Sequence, residues 1–297
     1  LTKISGEKSQ PHTAAPEHAG KIATDSGNRW EDSMSRMRVV HLFAALYFGS
    51  IVGALAADMP LKAPPVPPPS WAGPYVGVTA GVDWGTFDPR TWTSAVPGGE
   101  FAPSSLAAFN AGGVETIKSN GFTGGLEAGY NWQHSNWVYG LEGDIESFHL
   151  GGSATTGPTV YPCCAPATFT VSSSAHTDWL ATLRARVGLA SDRWLIYATG
   201  GAALTTINGS FSFSETFYGT TESASLSNSK LGYTVGGGVE TKAWNHWSVK
   251  AEYLYVDFGP VSTSGILGAG VLIPTQPFTH DIDLRANIVR LGLNYHF

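Results

Sequence analysis

The sequence predicts an all-β chain, an eight-stranded antiparallel up-and-down transmembrane β-barrel with short periplasmic turns and long extracellular loops. Three observations predict it. From Trp71 onward, segments that alternate apolar and polar side chains recur, each roughly ten residues long, which is what a tilted strand needs to cross a bilayer. The connectors between them alternate short and long. Aromatics gather at strand ends beside the short connectors, while charges and glycines fill the opposite faces.

Bulk composition agrees. Of 297 residues only 13% are charged, and 36 are Gly, 10 Trp and 11 Tyr, unlike an ordinary soluble core. A near-zero mean hydropathy with so few charges excludes a charge-rich disordered chain. A net charge of -6 without clustered basic patches excludes nucleic acid as a partner.

Ahead of the strands the chain falls into three pieces. Residues 1–33 are polar and aperiodic and precede Met34; they read as a spurious, disordered extension. Residues 34–56 have the three parts of a signal peptide: Arg36 and Arg38, an apolar run from Val39, and the small-residue exit Ala54-Leu55-Ala56. A transmembrane anchor is the competing reading, and it lacks a flanking basic stop. Residues 57–70, with PLKAPPVPPPS, read as a proline-rich, semi-rigid periplasmic linker.

Residues 71–297 are the predicted barrel, with strands at 73–84, 121–132, 137–148, 179–190, 194–204, 230–243, 247–258 and 284–297. The first carries Gly77 and Gly81 on its polar face. In the second, Phe122, Leu126, Ala128, Tyr130 and Trp132 oppose Thr123, Gly125, Glu127, Gly129 and Asn131. The third sets Glu142, Asp144 and Glu146 on one face, and the fourth sets Leu183, Ala185, Val187 and Leu189 against Thr182, Arg184, Arg186 and Gly188. WLIYATGGAAL, the fifth, is apolar on both sides and gives no orientation. The sixth aligns Gly236, Gly238 and Glu240; the seventh opposes Trp247, Val249, Ala251, Tyr253 and Tyr255 to Ser248, Lys250 and Glu252. In NIVRLGLNYHF, the eighth, Val289, Leu291, Leu293, Tyr295 and Phe297 oppose Arg290, Gly292, Asn294 and His296, and this strand is expected to pair with the first near Gly73.

In a membrane barrel the apolar face meets lipid and the charged face fills the interior. The interior network is then Glu127, Glu142, Asp144, Glu146, Glu240 and Glu252 with Arg184, Arg186, Lys250 and Arg290. Its structural reading is a plug of ion pairs, and its functional alternative an ion pathway; an eight-stranded interior is just wide enough for side chains to fill, which favours the plug. The outward aromatics Trp132, Trp137, Trp194, Trp244, Trp247 and Tyr295 are expected to form an interfacial girdle.

Catalytic constellations are weak. His246 and Ser248 lie at a short turn, and His176, Thr177 and Asp178 offer a poor nucleophile without an activating base. No phosphate loop is expected, because the glycines recur on alternate strand positions. The vicinal pair Cys163 and Cys164 has no zinc spacing and allows an adjacent-residue disulfide, an interchain bridge or no role at all. No enzyme, metal or cofactor is predicted.

Together, WAGPYVGVTAGVDWG, GGLEAGYNWQ, WVYGLEGDIE, LATLRARVGLA, WLIYATGGAAL, LGYTVGGGVE, VKAEYLYVDFG and RLGLNYHF resemble the immunogenic outer-membrane proteins, small porin-like barrels of Gram-negative bacteria. The resemblance spans Trp71 to Phe297. It implies a cell outer membrane location, a surface-exposed antigen that contributes to envelope integrity, and contacts with outer-membrane lipids and lipopolysaccharide. Phe297 matches the carboxy-terminal aromatic that such barrels present to the barrel-assembly machinery. Alternatives are a small-solute diffusion channel, a loop-mediated ligand receptor and, more remotely, a lipid-modifying enzyme.

Overall fold

The computed structural model describes residues 70–99, 101–267 and 276–297. The expected extension, the expected signal peptide and all of the expected linker except Ser70 lie outside the described residues. Eight antiparallel strands form one closed barrel in sequence order: β1 (Gly73–Thr93), β2 (Ile117–His134), β3 (Trp137–Val160), β4 (Thr168–Ser191), β5 (Trp194–Glu215), β6 (Thr221–Trp244), β7 (Trp247–Ile266) and β8 (Pro277–His296). The seam is β1 against β8, in register from Tyr75 opposite His296 to Thr93 opposite Phe278. At this seam Gly81 admits no side chain, because a Cβ would lie 2.7 Å from both Cα and Cβ of Arg290.

Three tight turns join β2 to β3, β4 to β5 and β6 to β7. Each begins on a left-handed residue, Ser135 at φ 55°, Asp192 at φ 51° and Asn245 at φ 45°. A two-residue hairpin needs positive φ there, and Asp and Asn tolerate it best.

The opposite end corrects the expectation of long loops. The predicted connectors 149–178, 205–229 and 259–283 are largely strand, whereas 85–120 keeps a long connector at 94–116 between its strand ends, and the strands run from 18 to 24 residues. At a rise of about 3.3 Å per residue and a tilt of about 40°, that is about 45–60 Å of barrel, roughly twice the height of an outer-membrane belt.

The extra length has its own pattern, and the reason is solvent. In the lower tier, near the turns, β8 turns Val289, Leu291 and Leu293 outward and Arg290, Gly292 and Asn294 inward. Higher on the same strand the chemistry inverts: Ile288, Ala286, Leu284 and Ile282 are buried inside, while Asn287, Arg285, Asp283 and Asp281 face out. The lower tier meets hydrocarbon and the upper tier meets water, so the apolar face changes side. Phe87, Phe148, Leu150, Leu254, Ile282 and Ile288 belong to the apolar cluster that fills the upper tier.

β5, ambiguous in sequence, is oriented by this core. Leu195, Tyr197, Thr199 and Ala203 point in, while Trp194, Ile196 and Leu204 point out. A helix that the sequence reading did not anticipate, α1 (Pro103–Gly112), interrupts the β1–β2 connector. Its Phe109 is fully buried, with ring centroids 5.2–5.6 Å from those of Phe169, Phe213 and Phe278, so the helix packs into a second, aromatic cluster.

Candidate functional site in the barrel interior

Strand register brings the interior charges together. Glu142 of β3 sits opposite Arg184 of β4, Glu240 of β6 opposite Lys250 of β7, and Glu252 of β7 opposite Arg290 of β8. All ten residues of the expected network are buried on the inward face. Arg184 reaches Glu142 at 2.5 Å, Asp144 at 2.7 Å and Glu252 at 3.0 Å. Arg290 binds Glu252 at 2.7 Å, Glu146 at 2.9 Å and Asp144 at 3.1 Å. Lys250 contacts Glu127 at 2.6 Å and Glu142 at 3.1 Å. Arg186 lies between two tyrosines, 4.8 Å from the ring centre of Tyr75 and 5.1 Å from that of Tyr197, and bridges Glu142 and Glu240 at 3.4 and 3.3 Å. Each cation thus serves at least two carboxylates, the close pairing that offsets the desolvation cost of a buried charge.

Several members escaped the sequence reading. The hydroxyl of Tyr75 donates to Glu142 at 2.6 Å, and that of Tyr197 donates to Glu252 at 2.9 Å. Asn131 accepts from Arg186 at 2.9 Å, Thr182 donates to Asp144 at 2.8 Å, and Asn294 donates to Glu240 at 3.1 Å. Asp83 is 1% exposed, and neither of its carboxylate oxygens has a hydrogen-bond partner among the described residues. The alternation of β1 through Tyr75, Thr79 and Gly81 already placed Asp83 on this face. With it, seven carboxylates share the lower interior with the four cations Arg184, Arg186, Lys250 and Arg290.

The outward aromatics stand at the turn end. Trp132, Trp137, Trp194 and Trp244 are about half exposed, Trp247 sits opposite Tyr295 with rings 5.2 Å apart, and Phe297 is 70% exposed beside Tyr295. A second aromatic level lies higher on the lipid-facing wall, at Trp84, Phe122, Tyr233 and Tyr253. Phe122 and Trp132 bound β2's outward apolar stretch, a span of about 25 Å on the tilted strand.

The weak catalytic candidates disperse. Thr177 points inward to Thr205 at 2.6 Å, whereas His176 and Asp178 are exposed on the outer wall. Ser248 is buried and contacts Glu240 at 2.5 Å and His296 at 2.9 Å, away from His246. His296 uses the same Nε2 toward Ser248 and Glu240, and among the described residues no carboxylate orients the ring from its other nitrogen, as a nucleophile–base relay requires. Cys163 and Cys164 form a vicinal disulfide in the β3–β4 connector, and the Ser105 hydroxyl of α1 donates to Cys163 Sγ at 3.0 Å. An interchain bridge is therefore not formed. No group of three or more His, Cys, Asp or Glu side chains arranged to hold a metal occurs among the described residues.

Residues 44–297 match the family model of the outer membrane protein beta-barrel domain. The chain belongs to that family. It is 30% identical over 258 residues to a 31 kDa outer-membrane immunogenic protein of Brucella melitensis, covering 82% of this chain and 93% of the relative. To a 25 kDa outer-membrane immunogenic protein of Brucella abortus it is 26% identical over 251 residues, covering 82% and 91%. Among solved structures, the outer membrane protein OprG of Pseudomonas aeruginosa aligns over 76% of this chain and 97% of its own, at 13% identity and a TM-score of 0.40. The family member described here is an outer-membrane protein, as its family and named relatives are.

Proposed function

We propose that the chain is a structural, surface-exposed barrel that contributes to envelope integrity, without an open pore and without enzymatic activity. One observation carries this reading: two different plugs are stacked in the barrel. Below lies the ion-pair network, whose largest side chains, Arg184, Arg290 and Lys250, are fully buried. Above it lies the apolar core of Phe87, Phe148 and Leu150, also fully buried, and α1 adds Phe109 to a second buried cluster with Phe169, Phe213 and Phe278. A diffusing solute would have to cross a charged layer and then a dry one. In this reading the turn end faces the periplasm, the two aromatic levels mark the lipid boundaries, and the upper tier stands among the lipopolysaccharide of the outer leaflet. Phe297, exposed beside Tyr295, serves as the contact for the assembly machinery.

Planar-bilayer recording of the refolded protein, with heat-modifiable gel migration as the folding control, tests the reading. Closed barrels that give no stable conductance are expected. A reproducible pore in a preparation that is wholly heat-modifiable would overturn it.

A further inference from the structure

Above the lipid belt the outer wall of the barrel is not uniform. On β1, β7 and β8 it is ionic: Asp88, Asp283 and Arg285 face out, and Arg285 pairs with Asp283 at 2.5 Å and Asp257 at 3.6 Å. On β3 to β6 it is paved with hydroxyls. Strand register aligns Ser153, Ser174, Ser210 and Ser225 in one row across four strands. The next row is Thr155, Ser172, Ser212 and Ser223. Further rows continue above and below, with Thr170, Ser214 and Thr221 in one and Asn208 opposite Ser227 in another. These side chains are exposed or half-buried, and their inward neighbours Phe211, Phe213 and Leu226 hold the backbone from beneath.

Such a lattice repeats about 4.8 Å across strands and about 6.7 Å along them, and each hydroxyl can donate or accept. Some bonds close within it, such as Thr155 to Ser172 at 3.0 Å and Asn208 to Ser227 at 2.7 Å, but these leave the second lone pairs and outward directions free. Asp178 at its lower edge is the one carboxylate on this wall among the described residues of β3 to β6 that face outward above the belt. The basic side chains of this wall are His149 and His176, at the lower edge with Asp178, and the hydroxyl rows above them carry no fixed charge, so the surface suits an uncharged, polyhydroxylated ligand better than a phosphate or an acidic peptide.

Continuity with the lipid boundary decides between occupants. On β5 the outward face passes from Ile196 and Leu204 in the belt directly to Thr206, Asn208 and Ser210, and Ser214 stands about 25 Å above Leu204. A wall that rises from the outer leaflet to that height stands where the sugar chains of the surrounding glycolipid run.

We propose that the hydroxyl wall of β3 to β6 binds the uncharged saccharide chains of neighbouring outer-leaflet glycolipid. The proposal rests on the outward orientation of the upper tier given under Proposed function. Hydroxyl-to-hydroxyl bonds, each weak, act together over the four strands, while the ionic wall on β1, β7 and β8 stays free of this ligand.

The test uses the refolded full chain in nanodiscs of zwitterionic phospholipid. Its probe is the lipid-free polysaccharide released by mild acid from a lipopolysaccharide with an uncharged repeat, followed by saturation-transfer NMR and calorimetric titration. Saturable binding is expected for the wild type and for D88N/R285Q, and at least tenfold weaker binding for S172A/S210A/S212A/S223A. The single variant S212K, which places a cation at the lattice centre, is expected to weaken binding in the same direction and covers the case in which the quadruple variant does not close. Absence of saturable binding by the wild type, or equal binding by all variants, overturns the proposal. So does an S212C barrel that crosslinks to a second copy through this face while polysaccharide fails to compete. Orientation is read separately, by labelling S212C on intact cells with an impermeant maleimide: failure to label sinks the outward placement, whereas labelling without polysaccharide binding sinks the saccharide proposal alone.

Discussion

Replacing Arg290 by Met isolates the electrostatic work of the lower plug. Methionine fills much of the same volume, so the loss is mainly that of charge. Arg290 is fully buried and makes four hydrogen bonds to Glu252, Glu146 and Asp144, at 2.7–3.1 Å. At about 1.5–3 kcal/mol each, charged bonds sum to about 6–12 kcal/mol gross, but the desolvation cost of the guanidinium is recovered when it is removed. Breaking one partner of a buried pair costs about 3–5 kcal/mol net. The upper figure applies here, because seven carboxylates already outnumber four cations in this layer. Equilibrium urea unfolding in lipid vesicles, followed by tryptophan fluorescence, reads the change. With a slope of about 2 kcal/mol per molar, the midpoint falls by about 2.5 M. Adding Glu252→Gln to Arg290→Met should restore about 1–3 kcal/mol through coupling, since it removes one of the stranded carboxylates. A midpoint shift below about 0.5 M, or additivity of the two changes, would refute the account of the network as a mutually dependent plug.

Asp83→Asn should have the opposite sign. A buried carboxylate whose oxygens lack donors is costly, so neutralising it should leave the urea midpoint unchanged or raise it, and a loss above about 1 kcal/mol would contradict this. Gly81→Val should prevent closure at the β1–β8 seam, because its side chain would meet the backbone of Arg290; heat-modifiable migration should be lost, whereas the exposed control Val82→Ala should retain it. Glu215, at the loop end of β5 and far above the belt, is drawn upward by burial, but bonds from the Thr220 N–H and hydroxyl and from the N–H groups of Phe217 and Tyr218 outweigh this and hold its carboxyl below the usual range. Its support of the 216–220 turn is therefore present above the ordinary carboxylate range and lost as pH falls through the depressed folded value. Hydrogen exchange at Tyr218 and Thr220, corrected for intrinsic rates, should show protection falling on acidification in the wild type and already low in Glu215→Gln.

The lower tier was legible because two signals coincide there. In NIVRLGLNYHF the period of two and the segregation of charge agree, so Arg290 and Leu291 could be assigned to faces without a structure. The upper tier keeps the period but reverses its meaning. In GSFSFSE, Phe211 and Phe213 alternate with Ser210, Ser212 and Ser214 as clearly as any lower segment, yet here the aromatics point in. Reading apolar residues as lipid-facing ended the strands where the solvent changed. α1 was obscured for another reason: PSSLAAFNAG buries only Ser105 and Phe109, too few positions to mark a helical stripe. Asp83 alternates with Thr79 and Gly81, but in a segment whose inward face is marked by glycines rather than by charge, its lone carboxylate carries little signal of an interior network.

The inversion between tiers also divides the protein's response to temperature. Unfolding the upper tier brings Phe148, Leu150, Leu254 and Ile288 from a dry core into water, the exchange that gives unfolding its large positive heat capacity. Unfolding the lower tier exposes chiefly its ion pairs, and its outward Val289, Leu291 and Leu293 already face lipid. One continuous sheet thus joins a half whose stability passes through a maximum and weakens on cooling to a half whose stability varies little with temperature. Cold should loosen this barrel from its loop end downward, while the belt still holds.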